Sequence, residues 1–326
     1  MRKADYLNLL DLVKAKIEDA FSNAVARRVA MSKLSEIVDA VAAGDVDAVL
    51  RIAGLSAPDA TELVEAARAG FIASGVAESA TIGVVFDVSN ARAQMWLANE
   101  SSTLVTLITS GQREAVRQVL ESGMARGVNP RNTALNIVGR VGADGRRSGG
   151  IVGLTENMAG YVEAARRELL AGDLRYFTRT LRDKRFDAIA RKQMTQTQVD
   201  AIVGRYAARL LKWRGDTIAR TESLRAIAAA RGVAWEQAIQ DGVVERGDIT
   251  RVWSATMDKR TRDSHEEMDG QPRAYGVPFE SPFGALLMFP GDSSMNAPPE
   301  ETINCRCMEV YRVDHVARAR REMANV

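Results

Sequence analysis

The sequence is poor in cysteine and has no long apolar segment. Its 326 residues include only two cysteines, Cys305 and Cys307, too few for the disulfide framework of a secreted protein. We therefore expect an origin in a reducing, cytosolic compartment. No apolar run approaches the ~20 residues that a membrane-spanning helix needs. Acidic residues interrupt the apolar pattern of the N-terminal segment "MRKADYLNLLDLVKAKIEDAF", which indicates an amphipathic helix and not a signal peptide.

Proline is scarce over most of the chain. Six of the eight prolines lie within residues 272–299, and only Pro58 and Pro130 precede them. Because proline breaks helix interiors, the chain before this segment is free to form long helices. Its content of Ala, Leu, Arg and Glu also favours helices.

Apolar spacing divides this first part of the chain further. Residues 161–194 and 199–239 have the pattern of long helices, whereas "ATIGVVFDVSN" near residues 80–90 predicts a short strand. Residues 139–153 contain six glycines but lack the Gly-Lys-Ser/Thr ending of a phosphate-binding P-loop. We interpret this glycine-rich stretch as a mobile connection between helices.

Charge gives no global indication of a nucleic-acid-binding protein, since the net charge is only +2. Locally, residues 175–192 hold seven Lys or Arg against two Asp. Such a basic segment could contact DNA phosphates or an acidic protein surface, or it could be the solvated face of a helix. The candidate nucleic-acid contacts are Arg179, Arg182, Lys184 and Arg185.

The pattern changes near Val243. The segments "RVWSAT", "LLMFP" and "CMEVYRV" predict short strands separated by loops rich in Pro, Gly, Asp and Asn. The fold class that we expect is mainly α, with a long-helix body followed by a small C-terminal α+β module. The expected aromatic core of this module consists of Trp253, Phe279, Phe283, Phe289 and Tyr311. The expected segments are a helical N-terminal region of unassigned role (1–130), a long-helix region (131–242), the α+β module (243–313) and a basic tail (314–326).

The two cysteines lie one residue apart in the predicted last strand. Residues two apart in a strand share a face, so both thiols would point the same way and could bind one soft metal ion. With His265 they would supply three ligands to Zn²⁺, and the fourth would be Asp258, Asp263, His315 or water. Buried structural thiols and a redox-active pair are the alternatives.

Motifs in the last hundred residues give the most specific information. These are "ARTES" (219–223), "DKRTRDSH" (258–265), "DGQ" (269–271), "PGD" (290–292) and "INCRC" (303–307). In this order they resemble the phage Mu F-like minor head proteins, the head morphogenesis family of tailed bacteriophages. The resemblance covers roughly residues 135–313, and residues 1–130 carry no feature that it explains.

The resemblance implies a structural, low-copy protein of the virion head, present in the host cytoplasm during assembly. Its expected partners are the portal protein, the major capsid or scaffold protein, and packaged double-stranded DNA. The expected activity is in head assembly or in DNA packaging and ejection. Some relatives carry a toxin or transferase domain after the head module. Only about 19 residues follow Cys307, so we expect no such domain here.

The resemblance also favours a structural role for four charged residues. Arg220 and Glu222 lie two apart on one helix and project from different sides, and Glu222 could accept a hydrogen bond from Arg225. The family pattern favours their burial, where they would hold the helix to the loop that contains Asp258 and Arg262. We refer to these four as the clamp residues.

Two enzyme interpretations remain as alternatives. Cys305 with His265 could form a nucleophile pair, but a strand-borne thiol lacks the helix N-terminus that usually lowers a thiol pKa. Asp258, His265 and Asp292 could form a metal-dependent hydrolase acting on nucleic acid. We favour a non-enzymatic protein.

Overall fold

A computed structural model of the chain describes residues 1–54, 61–109, 111–316, 319 and 323. Twelve α-helices lie in these residues. They are Lys3–Met31 (α1), Leu34–Ala42 (α2), Val46–Ile52 (α3), Thr61–Ile82 (α4), Ala91–Thr109 (α5), Gln112–Ala125 (α6), Pro130–Val138 (α7), Glu156–Ala171 (α8), Asp187–Ala190 (α9), Gln196–Gln240 (α10), Asp263–Glu267 (α11) and Pro299–Thr302 (α12). The fold is therefore mainly helical, as the sequence predicts. None of these described helices is long and apolar enough to cross a bilayer.

The strands are short, and most lie in the last third of the chain. They are Arg140–Val141 (β1), Arg147–Ser148 (β2), Ile249–Ser254 (β3), Pro272–Ala274 (β4), Phe279–Glu280 (β5), Leu286–Leu287 (β6) and Met308–Val313 (β7). β3 is the central strand of a three-stranded antiparallel sheet in the order β4–β3–β7. β1 with β2, and β5 with β6, form two-stranded hairpins. The predicted α+β character of the C-terminal region is confirmed.

The chain forms two compact units, each assembled from separate segments. The first contains residues 1–19, 63–101 and 217–326, and the second contains residues 20–62 and 102–216. The four contiguous segments expected from the sequence remain a prediction, and most of the basic tail 314–326 lies outside the described residues.

The second unit owes its helix boundaries to local capping. The Thr155 hydroxyl accepts a hydrogen bond from the Met158 amide at the start of α8, and Gly172 ends that helix in the left-handed conformation. The predicted long helix over 161–194 is therefore wrong, because Gly172 stops it and two 3₁₀ turns and the short α9 follow. The glycine-rich stretch 139–153 contains the β1–β2 hairpin.

The first unit has an aromatic and alanine-rich core. Phe71 stacks on Trp96 with ring centroids 4.3 Å apart, and this pair packs on the small residues of α10. The strand predicted near residues 80–90 is absent, since α4 continues to Ile82 and these described residues then form a loop. β-Branched residues in "TIGVV" give a strand pattern, but the end of a packed helix overrides it.

The core of the α+β region differs from the prediction at one position. Trp253 and Phe279 are fully buried and pack edge to face, with centroids 5.3 Å apart. Phe289 is partly buried and Tyr311 stacks on Trp235. Phe283 is instead 80% exposed, because it lies at the tip of the β5–β6 hairpin, where Gly284 has φ +80°.

Candidate metal centre

Two short elements bring the histidine to the two cysteines. His265 lies on α11, one turn of helix that follows β3, and Cys305–Cys307 form the extended segment directly before β7. β3 pairs with β7 antiparallel, with Ser254 opposite Met308. The sheet register therefore places the residues that follow β3 next to the residues that precede β7.

The thiols and the imidazole form a compact, buried cluster. Nδ1 of His265 lies 3.6 Å from Sγ of Cys305 and 3.4 Å from Sγ of Cys307. The exposed fractions of the three residues are 1%, 1% and 2%. On a tetrahedral zinc ion with ordinary Zn–N and Zn–S bonds, a nitrogen and a sulfur are about 3.6 Å apart. The distances thus match two edges of such a tetrahedron, and they also match hydrogen bonds between thiol and imidazole.

A carboxylate lies beside the other ring nitrogen. Oε2 of Glu301 is 2.9 Å from Nε2 of His265, at ion-pair distance but outside hydrogen-bond geometry. The Ser264 hydroxyl donates to the same oxygen at 3.0 Å. Metal-binding histidines commonly have a carboxylate on the nitrogen that does not bind the metal. Glu301 lies on α12, within the motif segment "PPEETINCRC" (298–307), but it is not among the site residues predicted from the sequence.

The two thiols differ in their acidity. The pKa of Cys307 is lowered to about 5, first by a hydrogen bond from Cys305 and then by His265. The pKa of Cys305 is raised, chiefly by burial. One thiolate is therefore favoured in the cluster, and the thiolate is the form of cysteine that binds metals.

The expected fourth ligand is not supplied by the carboxylates and histidine that the sequence suggested. Asp258 forms a two-point ion pair with Arg306. Asp263 and His315 are exposed. Within the described part of the chain, His265, Cys305 and Cys307 are the group of ligand atoms that lie within 4.8 Å of one another. Of the four candidates for the fourth zinc ligand, water is the one that remains.

The sequence places both cysteines in the last strand, but the thiols lie just before the observed strand. β7 begins at Met308, whereas Asn304 has φ +59° and redirects the chain before the cysteines. The amide of Asn304 donates to the Thr221 hydroxyl of α10 at 3.1 Å. The segment therefore follows α10 before it joins the sheet, and its extended backbone still directs both thiols toward His265.

Two clamp residues contact the segment that carries the cysteines. Asp258 pairs with Arg306, the residue between the two cysteines in the sequence. This hydrogen bond lowers the pKa of Asp258. The guanidinium of Arg262 donates to the carbonyl of Ile303. Both residues thus connect the loop after β3 to the turn before β7.

The other two clamp residues lie on α10. Glu222 is 2% exposed and accepts a hydrogen bond from Arg225 at 2.9 Å, one of the contacts that its sequence position suggests. Arg220 is half-buried. Arg225 also lies 3.6 Å from Glu100 of α5, so one guanidinium lies between two buried carboxylates. Burial, and then Glu222, raise the pKa of Glu100 well above its usual value.

The basic residues of 175–192 are arranged in pairs with acids. Arg179 donates twice to Glu168 at 2.7 Å, and Arg182 lies 3.0 Å from Asp187. Arg185 pairs with Asp183 but keeps a side chain that is 76% exposed. Lys184 is exposed. The four candidates therefore differ, because two are held within the fold and two face solvent.

The carboxylates of the hydrolase interpretation have other contacts. Asp292 is buried and accepts hydrogen bonds from the amides of Met288 and Ser294 and from the Ser294 hydroxyl. It thereby organises the turn after β6, while Asp258 is paired with Arg306. Neither belongs to the group of metal-ligand atoms around His265 in the described residues.

Comparison with known proteins identifies the class to which this arrangement belongs. The model of the family described as Phage Mu protein F like protein matches residues 114–310, more than half of the chain. This range includes the metal-centre cluster, all four clamp residues and the acid-paired basic segment. The chain belongs to the phage Mu F-like family.

Two curated proteins share parts of the chain. The Minor head protein GP7 of Bacillus phage SPP1 is 34% identical over 96 residues, which are 29% of this chain and 29% of that protein. An NAD(+)–arginine ADP-ribosyltransferase EFV of Enterococcus faecalis is 31% identical over 100 residues, 31% of this chain and 19% of that protein. The chain thus spans less than a third of the length of either relative. No solved structure matches.

Proposed function

We propose that this chain is a structural minor head protein that acts in head morphogenesis of a tailed bacteriophage. The observation that carries the proposal is the family match over residues 114–310, which includes the cluster of His265, Cys305 and Cys307. The similarity to a minor head protein of phage SPP1 supports the same role. The protein is located in the virion head, at the capsid interior or the portal vertex.

Its partners follow from that location. They are the portal protein, the major capsid or scaffold protein, and packaged double-stranded DNA, and the protein assists assembly, packaging or ejection. The loop after β3 and the turn before β7 are connected by Asp258–Arg306 and by Arg262, which suits a rigid binding module. Asp258 and Arg262 serve this rigidity and not catalysis.

The cluster in the α+β region holds one structural Zn²⁺. Two thiolates and an imidazole are a ligand set that zinc prefers, the N–S distances fit a tetrahedron, and Glu301 lies beside the outer nitrogen of His265. When bound, zinc cross-links the residues after β3 to those before β7.

A small module gains from such a cross-link. The three-stranded sheet contains only fifteen residues, too few to form a large core of its own. Because a zinc site is assembled only in the folded chain, its binding free energy adds to folding stability. The buried thiols alone are the alternative, and a metal measurement separates the two.

The chain is not an enzyme in this proposal. The hydrolase interpretation places Asp258, His265 and Asp292 at one metal ion, whereas Asp258 pairs with Arg306 and Asp292 organises a turn. The match to the Enterococcus protein covers 19% of that protein, and we propose no transferase activity from it.

Mass spectrometry of purified virions tests the role in the head. The chain should be present in mature particles at a low copy number, counted against the portal protein of the same particles. Its absence from both virions and empty heads, with normal expression in infected cells, would contradict the proposal.

A further inference from the structure

Several exposed basic residues of the second unit lie around one aromatic ring. The 3₁₀ turn Lys184–Phe186 lies beside α10, and the guanidinium of Arg205 stacks on the Phe186 ring at 4.4 Å. Arg185 approaches the same ring at 6.0 Å. Although 20 positions separate Arg185 from Arg205, one aromatic ring brings their guanidinium groups together.

A buried carboxylate fixes a third arginine at this place. Asp183 is 3% exposed and lies 2.7 Å from Arg185 and 3.2 Å from Arg209. Arg209 also donates to the Arg182 carbonyl at 2.7 Å. The pKa of Asp183 is lowered to about 2, first by its hydrogen bond from Arg185, so the carboxylate stays ionised and positions both guanidinium groups.

The surface has an excess of positive charge and an exposed aromatic side chain. Lys184, Arg185, Arg205 and Arg209 are all exposed, and Asp183 is the one acid that pairs with them in the contacts described above. Trp213 follows Arg209 by one helical turn and is 46% exposed. We call these five exposed residues, together with Phe186, the basic–aromatic surface.

We propose that the basic–aromatic surface binds the sugar-phosphate backbone of a nucleic acid. The proposal deepens the proposed function by giving packaged DNA a contact surface, and its test uses the purified protein alone. A failure here would leave the role in the head intact, and a failure of virion mass spectrometry would leave this surface intact.

The geometry of the stacked arginines suits phosphate. Stacking on Phe186 uses one face of the exposed Arg205 guanidinium, whereas the N–H donors of such a group lie in its plane and do not take part in the stacking. Planar, preorganised guanidinium groups bind phosphate oxygens in two-point contacts. An aromatic side chain next to such cations gives bases or sugars an apolar surface, a combination common in nucleic-acid-binding proteins.

The structure also explains which of the sequence candidates take part. Arg179 and Arg182 use their donors on Glu168 and Asp187 and have side chains that are each 15% exposed. The surface therefore retains Lys184 and Arg185 and gains Arg205 and Arg209 from α10. The sequence alone could not show that Arg205 and Arg209 belong to this surface, because their position there depends on the packing of the 3₁₀ turn against α10.

Fluorescence anisotropy with a labelled DNA duplex tests the proposal over a range of salt concentrations. The parent should bind at about 50 mM salt, and each neutralised phosphate should contribute about −0.9 to the slope of log K against log salt. Replacing all four cations by glutamine (K184Q, R185Q, R205Q and R209Q) should reduce the magnitude of the slope by about 3 to 4. Trp213→Ala should weaken binding while leaving the slope unchanged.

Two further variants separate binding from folding and from net charge. Arginine-to-lysine substitution at Arg185, Arg205 and Arg209 keeps the charge and should retain most of the slope. The matched control removes four exposed cations elsewhere (K3Q, K16Q, K33Q and R131Q), and it should bind like the parent. No binding by the parent at about 50 mM salt, or equal losses in the control and the surface variant, would overturn the proposal.

Discussion

Nδ1 of His265 lies 3.4 Å from Sγ of Cys307, although 42 positions separate the two residues. The contact depends on the pairing of β3 with β7, which places the residues after one strand beside the residues before the other. The cluster therefore reports on the fold of the whole α+β region. Any change that disrupts this sheet register should also disrupt the site.

Glu100 of α5 and Glu222 of α10 are two buried carboxyl groups that lie close together. Their proximity predicts that the stability of the protein depends on pH. Burial and Glu222 raise the pKa of Glu100, so its contribution to stability is complete at low pH and is lost as pH rises through the raised pKa. Glu100→Gln keeps the neutral form at every pH. Its Tm should equal that of the parent below about pH 4, and the difference in favour of the variant should grow as the pH rises.

The control for this prediction is Glu65→Gln, which removes an exposed carboxylate of α4. Surface substitutions of this kind change stability by about 0.5 kcal/mol at most, so its Tm should follow that of the parent. A Glu100→Gln variant that is less stable than the parent at both ends of the pH range would contradict the account.

Two glycines of the second unit predict opposite effects of the same substitution. A Cβ at Gly150 would lie 2.3 Å from the carbonyl oxygen of Ile137, a backbone atom that cannot move aside easily. Gly150→Ala should therefore reduce the free energy of unfolding by about 1–3 kcal/mol. Gly160 lies inside α8 with its nearest neighbour 3.5 Å away, and Gly160→Ala should stabilise by about 0.5–1 kcal/mol. Urea titration measures both, and equal effects would refute the packing of the β1–β2 hairpin.

Arg251 predicts a large loss of stability in the first unit. Its side chain is 4% exposed, lies 3.1 Å from Glu309 and donates to the carbonyls of Val277 and Met288. Arg251→Met leaves two carbonyls without this donor and leaves the buried Glu309 carboxylate with only the Tyr311 hydroxyl, so it should cost about 3–5 kcal/mol. Arg312→Met, at an exposed position of β7, is the matched control and should cost less than about 0.5 kcal/mol. Similar denaturation midpoints for the two variants would contradict this interpretation.

A nuclease assay tests the non-enzymatic role. Purified protein incubated with single- and double-stranded DNA and Mg²⁺, Mn²⁺ or Zn²⁺ should produce no cleavage, because Asp258 and Asp292 have structural contacts. The control is His265→Ala, prepared in parallel. Cleavage by the parent that is lost in the variant would favour a metal-dependent hydrolase instead.

Local pattern predicted the long helices well where no capping residue intervened. α10 runs from Gln196 to Gln240, close to the expected 199–239, because its interior lacks proline and its alanines pack in the core of the first unit. The expected helix 161–194 fails at Gly172, where a left-handed cap satisfies the last carbonyls of α8. Such a cap follows from backbone geometry that apolar periodicity does not report.

The candidate site was predictable from its motifs, but its surroundings were not. The rarity of cysteine and histidine indicated that His265, Cys305 and Cys307 could act together, and the structure brings them into one cluster. The contact of Glu301 with His265 and the contact of Asn304 with α10 depend on tertiary packing, which the motifs do not specify. The exposure of Phe283 was missed for the same reason, since an aromatic residue in a hairpin turn can face either way.

Removal of the Glu301 carboxylate tests how the proposed zinc site is supported. Glu301→Gln keeps all three ligands but removes the charge beside Nε2 of His265. Removing a carboxylate that contacts a metal-binding histidine typically reduces metal affinity by about 10–100-fold. Competition with a chromogenic chelator should show this loss, with zinc still bound when the metal is in excess.

The most direct test of the metal centre is the zinc content of the purified protein, measured by elemental analysis together with its thermal unfolding. We predict about one zinc per chain. A chelator should lower the Tm of the C-terminal region, and Cys305→Ser and Cys307→Ser should each reproduce that loss, since both thiolates are ligands. A parent protein that is purified without metal, and serine variants that melt at the parent temperature, would contradict the account and leave the two thiols as packing groups.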